Sequence, residues 1–338
     1  MRKYVVGGVE MPLPIILGAG VCKSPVSLVP YQRDDVSFGA LVTGSYTPDE
    51  PAGQEDRKGN DDGKNICQWP AQIESGTRFD FGSNSWGMPN MGCTKAKYLL
   101  SEMLLPKKTI VSIAAFSVAG YMAAADTFGR NAPWVAAQEW NFGCPNAHDK
   151  KVLPISYDYD SCEMVLEAGN QLQLDCPTWF KMSPYLTSED VALIASFGID
   201  VSHMPVFDDD TLEQFASLIA RYPYVRAVVA SNTGPNAIYR VNGQPVTTPN
   251  GGKAGLSGPV MLEIALRQVK RFRAALPSSI DVIHSGGIWY GGDVVKAMEN
   301  GAAAVQITSL PVWSGGPRAP GQLIEGSEKL QNFLSQSM

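Results

Sequence analysis

The sequence predicts a (β/α)8, or TIM, barrel, and three observations lead to this fold class. Short, nearly continuous apolar runs recur along the 338 residues, as in parallel strands that are buried on both faces. Amphipathic helical patterns lie between several of these runs, and such alternation favours a parallel sheet. The runs number eight, which favours a closed barrel over an open sheet.

Each predicted strand is an apolar run, and most of the runs end in Gly, Ser, Thr, Ala or Asn. Strands of this kind carry little polar alternation because helices cover one face and the barrel interior covers the other. In chain order the predicted strands are residues 14–18, 40–44, 109–115, 134–141, 178–183, 225–232, 281–286 and 303–309.

Helices are predicted where apolar residues recur at three- and four-residue spacing. The clearest patterns cover residues 188–198, 210–222 and 260–272. A further pattern over residues 322–334 predicts one closing helix.

Two segments interrupt the alternation of strands and helices. Residues 48–70 are polar, acidic and rich in glycine, which predicts a long loop after strand two. Residues 236–249 predict an inserted β-hairpin, because Asn242-Gly243 is a strong two-residue turn signal. We find no internal repeat and no low-complexity linker, so we expect a single domain over residues 1–338.

Composition excludes several classes of function. The net charge of −6 argues against a nucleic-acid partner, because phosphate backbones are held by clustered Lys and Arg. No stretch reaches the roughly 18 apolar residues of a membrane span. We expect no signal peptide, because Gly7, Gly8, Glu10 and Pro12 interrupt any N-terminal hydrophobic region. The six cysteines and three histidines have no metal-site spacing, so we expect reduced thiols, a cytoplasmic protein and no metal.

The residues that end the predicted strands are expected to converge, because barrels place their functional sites at the carboxyl ends of the strands. Small, amide and hydroxyl residues of this kind suit a flat polar heterocycle and a phosphate. The residues concerned are Gly18, Ala19, Gly20, Gly44, Ser45, Ala114, Ala115, Asn141, Cys144, Asn146, Lys181, Asn232, Thr233, Gly286, Gly287, Thr308 and Ser309.

Two features of this set indicate an anionic ligand. Residues 285–288 and 307–309 end strands seven and eight, where barrels often bind phosphate through backbone N–H groups. Lys181 is the only charged residue in its predicted strand, and a buried lysine needs an anionic partner. Two ordinary turns and an outward, solvated lysine are the alternatives.

Taken together, these motifs resemble those of the dihydroorotate dehydrogenase family, especially its class 1 cytosolic members, which are FMN-containing barrels. Residues 84–90 resemble the family's substrate loop, and residues 141–146 resemble its catalytic loop. Residues 231–233 resemble its substrate asparagine with a neighbouring hydroxyl. Its flavin-binding turns are matched by residues 18–21, 255–258, 285–288 and 306–309.

The resemblance implies a reaction and a set of roles. Cys144 would be the general base that removes a proton from C5 of dihydroorotate, while hydride leaves C6 for flavin N5. The substrate contacts would be Asn84, Gly87, Met88, Asn141, Asn146, Asn232 and Thr233. The FMN contacts would be Ala19, Gly20, Ser45, Asn141, Lys181, Ser257, Gly258, Gly286, Gly287, Thr308 and Ser309. A homodimer with a role in pyrimidine biosynthesis is also implied.

The sequence departs from the family at the end of strand two. The family has a lysine there, near the flavin and the substrate carboxylate, whereas this chain has Gly44. Lys58 or Lys64 of the long acidic loop could fold back to replace it, or the substrate could be a ring other than orotate. Trp86 also hints at a reshaped pocket.

Several alternatives stay open at this point. The chain could act on another dihydropyrimidine or a similar ring, or be a flavin-binding barrel without catalysis. A tRNA dihydrouridine synthase, another flavin barrel with an active-site cysteine, is disfavoured by the acidic charge. Fumarate, NAD reached through a partner subunit, and oxygen all remain possible electron acceptors.

Overall fold

A short hairpin and a closed barrel form the centre of the computed structural model, which describes residues 3–48, 67–68, 81–85, 87–144, 154–247 and 249–336. The hairpin consists of β1 (Tyr4–Val6) and β2 (Val9–Met11). Its turn is fixed to the barrel because Trp179 Nε1 donates to the Gly7 carbonyl at 2.9 Å. The hairpin therefore packs against the end of the barrel opposite the strands' carboxyl ends.

Eight parallel strands form the barrel, and the last pairs with the first to close it. This confirms the predicted fold class, and every predicted strand is present. The strands are β3 (Ile15–Cys22), β4 (Ala40–Thr43), β7 (Lys108–Ile113), β8 (Val135–Asn141), β9 (Thr178–Lys181), β10 (Val225–Val229), β15 (Asp281–Ser285) and β16 (Ala304–Ile307).

Alternation along the strands divides the apolar side chains between two layers, as the two-residue period of a strand requires. Ile16 and Trp179 point into the barrel, where they pack with the hairpin residues Val6 and Met11. Leu17 and Phe180, one residue further along, belong to the larger core between strands and helices. The next inward positions along the strands face the cavity described below.

Helices surround the barrel, and the predicted helices 188–198, 210–222 and 260–272 are confirmed with small changes at their ends. They are α1 (Cys93–Ser101), α2 (Val118–Gly129), α3 (Tyr159–Asn170), α4 (Ser188–Ala195), α5 (Thr211–Ala220), α6 (Leu262–Ala275), α7 (Gly291–Glu299), α8 (Ser309–Trp313), α9 (Ala319–Glu325) and α10 (Glu328–Gln336).

The single closing helix predicted over residues 322–334 is wrong, because two helices, α9 and α10, occupy this region. Gly326 ends the first helix, and its N–H still bonds the Gln322 carbonyl at 2.9 Å. Ser327 then begins the second, since its hydroxyl accepts a bond from the Leu330 N–H at 3.2 Å. A glycine followed by a capping serine is a local stop and start that periodicity alone misses.

A small antiparallel sheet is built from segments outside the barrel. It contains β5 (Cys67–Gln68), β6 (Gly82–Asn84), β11 (Gly234–Ala237) and β14 (Ala254–Ser257), in the spatial order β11-β14-β6-β5. Between β11 and β14, β12 (Arg240–Val241) pairs with β13 (Gln244–Pro245) around Asn242 and Gly243, which confirms the predicted hairpin. Most of the predicted loop 48–70, with Lys58 and Lys64, lies outside the described residues, as do Trp86 and Asn146.

Candidate functional site

A large cavity opens at the carboxyl end of the barrel. It encloses about 1150 Å³, including its open mouth. The ends of β3, β8, β9, β15 and β16 line it, together with residues of β6 and β14. The small sheet thus completes a wall that the barrel alone does not provide.

The structure brings together the predicted site residues that it describes. Those predicted to contact substrate or FMN all line this one cavity, although they come from segments that are far apart in the sequence. They are Ala19, Gly20, Ser45, Asn84, Gly87, Met88, Asn141, Cys144, Lys181, Asn232, Thr233, Ser257, Gly258, Gly286, Gly287, Thr308 and Ser309. Of the other strand-end residues expected to converge, Ala114 and Ala115 line a smaller cavity, whereas Gly18 and Gly44 are not among the residues that line either one.

Asn141 is the centre of a polar cluster at the end of β8. Its Nδ2 donates to Ser45 Oγ at 3.0 Å, and its Oδ1 accepts from Asn232 Nδ2 at 3.1 Å. The Asn141 backbone carbonyl accepts from Tyr121 Oη at 2.8 Å, which anchors the strand end from outside. Asn232 is itself fixed by the Thr233 N–H, which donates to its Oδ1 at 2.8 Å.

Cys144 differs from the other described cysteines in that it lines the main cavity. It is half-buried and lines both the main cavity and a smaller apolar one between Ala115 and Phe142. By contrast, burial raises the pKa of Cys22 to about 12 and that of Cys176 to about 11. Those thiols stay protonated at neutral pH, and among the described cysteines Cys144 is the one that lines the main cavity.

A buried charged cluster forms the floor of the cavity. Lys181 Nζ donates to Gln306 Oε1 at 2.9 Å, and Gln306 Nε2 donates to Glu139. Glu139 is fully buried and its Oε1 lies 3.9 Å from Lys181 Nζ. The Gln306 amide therefore bridges Lys181 and Glu139. This arrangement offsets the free-energy cost of burying the charge of Lys181.

Glu139 was not among the residues predicted for the site, and Gln306 was predicted only as the first residue of a flavin-binding turn. The sequence did carry a signal for Glu139, because it is a lone acid in an apolar strand, just as Lys181 is a lone base. The two-residue period of β8 places Glu139 on the same inward face as Ala137 and Asn141. Lys23, which also lines the cavity, carried no comparable signal.

The turn after β15 is a backbone cradle. Gly286 and Gly287 have φ of +117° and +80°, in a region that favours glycine. A Cβ on Gly287 would lie 2.4 Å from the Leu262 Cα, so this turn lies directly against the start of α6. Thr308 and Ser309 line the same part of the cavity, and such an arrangement of N–H and hydroxyl groups suits a phosphate.

His284 supports this turn from behind. Its Nε2 lies 2.7 Å from the Gly286 carbonyl oxygen. Burial lowers the pKa of His284 to about 4, and the bond to Gly286 offsets this effect only in part. The imidazole is therefore neutral at pH 7, with Nε2–H donating to the carbonyl.

This histidine is expected to make the protein sensitive to acid. In the unfolded chain His284 becomes protonated below its ordinary pKa of 6.5. In the folded protein His284 becomes protonated only near pH 4. The free energy of unfolding should fall across that window by on the order of 3 kcal/mol. His284→Gln should remove this part of the pH dependence in urea unfolding at pH 7, 6, 5 and 4. Equal pH slopes for variant and wild type would contradict it.

The small sheet holds Asn84 over the cavity. Asn84 Nδ2 donates to the Gly255 carbonyl at 3.2 Å, across the β6–β14 pairing. Its amide thus has a fixed orientation above the Asn141 cluster.

The lining as a whole favours an anionic, planar ligand. Among its described residues the charged ones are Lys23 and Lys181, and none is a carboxylate. No group of three or more His, Cys, Asp or Glu able to hold a metal occurs in the described part of the chain. Nor does any helix there combine the length and apolar character needed to cross a membrane.

The family model described as "Dihydroorotate dehydrogenase" matches residues 1–330. Among curated relatives, a "Putative dihydroorotate dehydrogenase A (fumarate)" of Streptococcus equi subsp. equi is 28% identical over 66% of this chain and 65% of that protein. The "Dihydroorotate dehydrogenase B (NAD(+)), catalytic subunit" of Methanopyrus kandleri is 26% identical over 68% of this chain and 64% of that protein. The matched regions thus span slightly less than two thirds of these relatives.

Another relative and a solved structure extend the comparison. The "Dihydroorotate dehydrogenase A (fumarate)" of Lactococcus lactis subsp. cremoris is 24% identical over 74% of this chain and 73% of that protein. A crystal structure of DHODH from Eimeria tenella, in complex with ferulenol, superposes with a TM-score of 0.68 at 16% identity. It covers 99% of this chain and 85% of that one, which supports the barrel fold.

Proposed function

This chain belongs to the dihydroorotate dehydrogenase family, and on that premise we propose that it is an FMN-dependent oxidoreductase that converts dihydroorotate to orotate in pyrimidine biosynthesis. One observation carries the proposal. A half-buried thiol, Cys144, and a buried cation, Lys181, line the same cavity as Asn84, Asn141 and Asn232.

The residues present fit FMN. The cradle at Gly286 and Gly287, with Thr308 and Ser309, would hold the phosphate. Lys181, at the floor, would face the flavin ring and offset negative charge there. A bound flavin would accept the hydride that leaves C6 of the substrate.

Cys144 would take the proton from C5 of dihydroorotate. This proton is the acidic one because C5 lies next to a carbonyl carbon, and a thiolate is a suitable base near neutral pH. Cys144 lies three residues after Asn141 and lines the same cavity, so the base would lie close to the amides that would hold the ring.

The three described asparagines would orient the substrate. Each side-chain amide offers both donors and an acceptor, which matches the N–H and C=O groups of a dihydropyrimidine ring. Asn232 and Asn141 already form a hydrogen bond to each other. The remaining donor and acceptor groups of their side chains therefore point in fixed directions. Asn146, predicted to take part, lies outside the described residues.

A second candidate is oxidation of a dihydropyrimidine that lacks the carboxylate. Gly44 favours it, because the family has a lysine near the substrate carboxylate at the end of this strand. The geometry of Cys144 and the asparagines suits either ring. Turnover of dihydroorotate and of 5,6-dihydrouracil distinguishes the two.

The proposal is tested by the absorbance of the purified protein and by anaerobic titration. We expect a yellow protein whose visible flavin bands bleach on addition of dihydroorotate. Extraction by heat should release one FMN per chain. A colourless protein that takes up no added FMN, or a yellow one that dihydroorotate does not bleach, would contradict the proposal.

Finer aspects of the proposal follow from the same family membership. Residues 1–338 would form one FMN-binding domain in a cytoplasmic homodimer, with a small-molecule substrate and neither nucleic acid nor membrane as partner. Fumarate, NAD through a partner subunit, and oxygen are the candidate acceptors. Steady-state reoxidation with each, followed by the return of the flavin bands, separates them.

A further inference from the structure

We infer that Lys23 binds the carboxylate of the substrate, in place of a side chain at residue 44. This inference rests on the proposed function, because it assigns a recognition residue to the proposed reaction. It replaces the earlier hypothesis that Lys58 or Lys64 performs this role.

The path of β3 places Lys23 at the cavity. Leu17 pairs with Leu41, and Cys22 pairs with Thr43. Between these two pairs β3 advances by five residues, whereas β4 advances by only two. The extra residues bulge at the carboxyl end of the strand, where Ala19 and Gly20 line the cavity. Lys23 follows directly and lines it as well.

This path excludes any side chain at residue 44. The Gly44 N–H donates to the Cys22 carbonyl at 2.6 Å, so the backbone at the end of β3 and the backbone after β4 are in close contact. A Cβ on Gly44 would lie 2.9 Å from the Lys23 Cα and 3.0 Å from the Cys22 carbonyl oxygen. Both are backbone atoms that cannot rotate away. The backbone path that places residue 23 at the cavity therefore requires glycine at 44, and the lysine at 23 offers a cation that residue 44 cannot supply.

The part of the cavity lining next to Gly44 and Lys23 suits recognition of the substrate rather than of a phosphate. Gly44 is followed by Ser45, whose hydroxyl accepts from Asn141. Lys23 therefore adjoins the asparagine cluster that would hold the ring, whereas the glycine cradle lies after β15. A carboxylate buried against this cluster needs a cation. Lys181 lies on the floor at the end of β9, whereas Lys23 lies beside Gly44 directly after β3, so Lys23 is the lining cation on this side.

The consequence is a prediction of specificity. The site should select a dihydropyrimidine with an acidic substituent, although residue 44 cannot supply the cation. A charge-assisted hydrogen bond contributes about 1.5–3 kcal/mol, which corresponds to roughly 10- to 150-fold in affinity. That factor should appear for the acidic ligand and not for its uncharged analogue.

The test compares Lys23→Met with wild-type protein that carries FMN. We expect the KM for dihydroorotate to rise by roughly 10- to 150-fold, and the orotate Kd, measured by titration calorimetry, to rise equally. The KM for 5,6-dihydrouracil should change by less than about threefold. Lys23→Arg keeps the charge and should retain most of the orotate affinity. Lys95→Met, at an exposed position of α1, is the matched control and should change neither constant.

The outcomes separate this inference from the proposed function. Wild-type turnover of dihydroorotate with an orotate Kd that Lys23→Met leaves unchanged would overturn the role of Lys23 alone. An equal loss for both substrates would also overturn it, because it would indicate a structural role. A wild-type protein that carries FMN but oxidises only 5,6-dihydrouracil would overturn the assignment of dihydroorotate itself.

Discussion

Replacing Cys144 with alanine is expected to lower kcat for dihydroorotate by on the order of 10²- to 10⁴-fold, the usual contribution of general base catalysis. The variant would lose the proposed acceptor of the C5 proton but keep the amides at Asn141 and Asn232. Its orotate Kd and its flavin spectrum should therefore stay close to those of the wild type. Stopped-flow measurement of flavin bleaching under anaerobic conditions reports the chemical step directly.

Two companion variants sharpen this experiment. Cys144→Ser retains a hydroxyl, a much weaker base than a thiolate at neutral pH, and should also be slow. Cys176→Ala alters a thiol that burial holds protonated, so its bleaching rate should match that of the wild type. If Cys144→Ala bleached within a few-fold of the wild-type rate, the base would have to be another residue.

Replacing Lys181 with methionine is expected to reduce the free energy of unfolding by about 3–5 kcal/mol. The loss arises from the partner that remains, because Glu139 is fully buried beside Lys181. Its Oε1 has no hydrogen-bond partner within the described residues. Without the ammonium group this carboxylate would be an uncompensated charge in the barrel interior.

The double variant Lys181→Met/Glu139→Gln separates charge from packing. It should unfold at a higher urea concentration than Lys181→Met, because an amide at 139 needs no counter-ion and can still bond Gln306. Asp126→Asn is the matched control on an exposed pair with Arg130, 2.9 Å apart, and should cost under about 1 kcal/mol. A double variant no more stable than Lys181→Met would show that burial of the charge is not the cause.

The sequence predicted the barrel because its signals are local. Most residues of each predicted strand are apolar, and most of these runs end in a small or polar residue, so both the strand and the residue facing the cavity can be read from one short run. Lys181 illustrates this, since its isolation among apolar residues indicated a buried partner. The partner was found only in three dimensions, because Glu139 and Gln306 lie on other strands.

Other parts of the site depend on contacts with no local signal. The sheet that fixes Asn84 joins segments about 170 residues apart, and its register follows from the folded barrel. The approach of Lys23 to Gly44 depends on a bulge in β3 that no periodicity reports. The division of the closing pattern into α9 and α10 depended on one glycine and one serine hydroxyl.

The pairing of β16 with β3 has a consequence for biosynthesis. Val305 is in register with Ile15, and Ile307 with Leu17. The first and last barrel strands in chain order therefore pair with each other to close the barrel. A ribosome must therefore have released the chain as far as β16 before that pairing can form, and until then Ala19 and Thr308 cannot share a wall. Binding of the proposed FMN should begin only after that point, and a stalled product that ends before β16 should emerge empty.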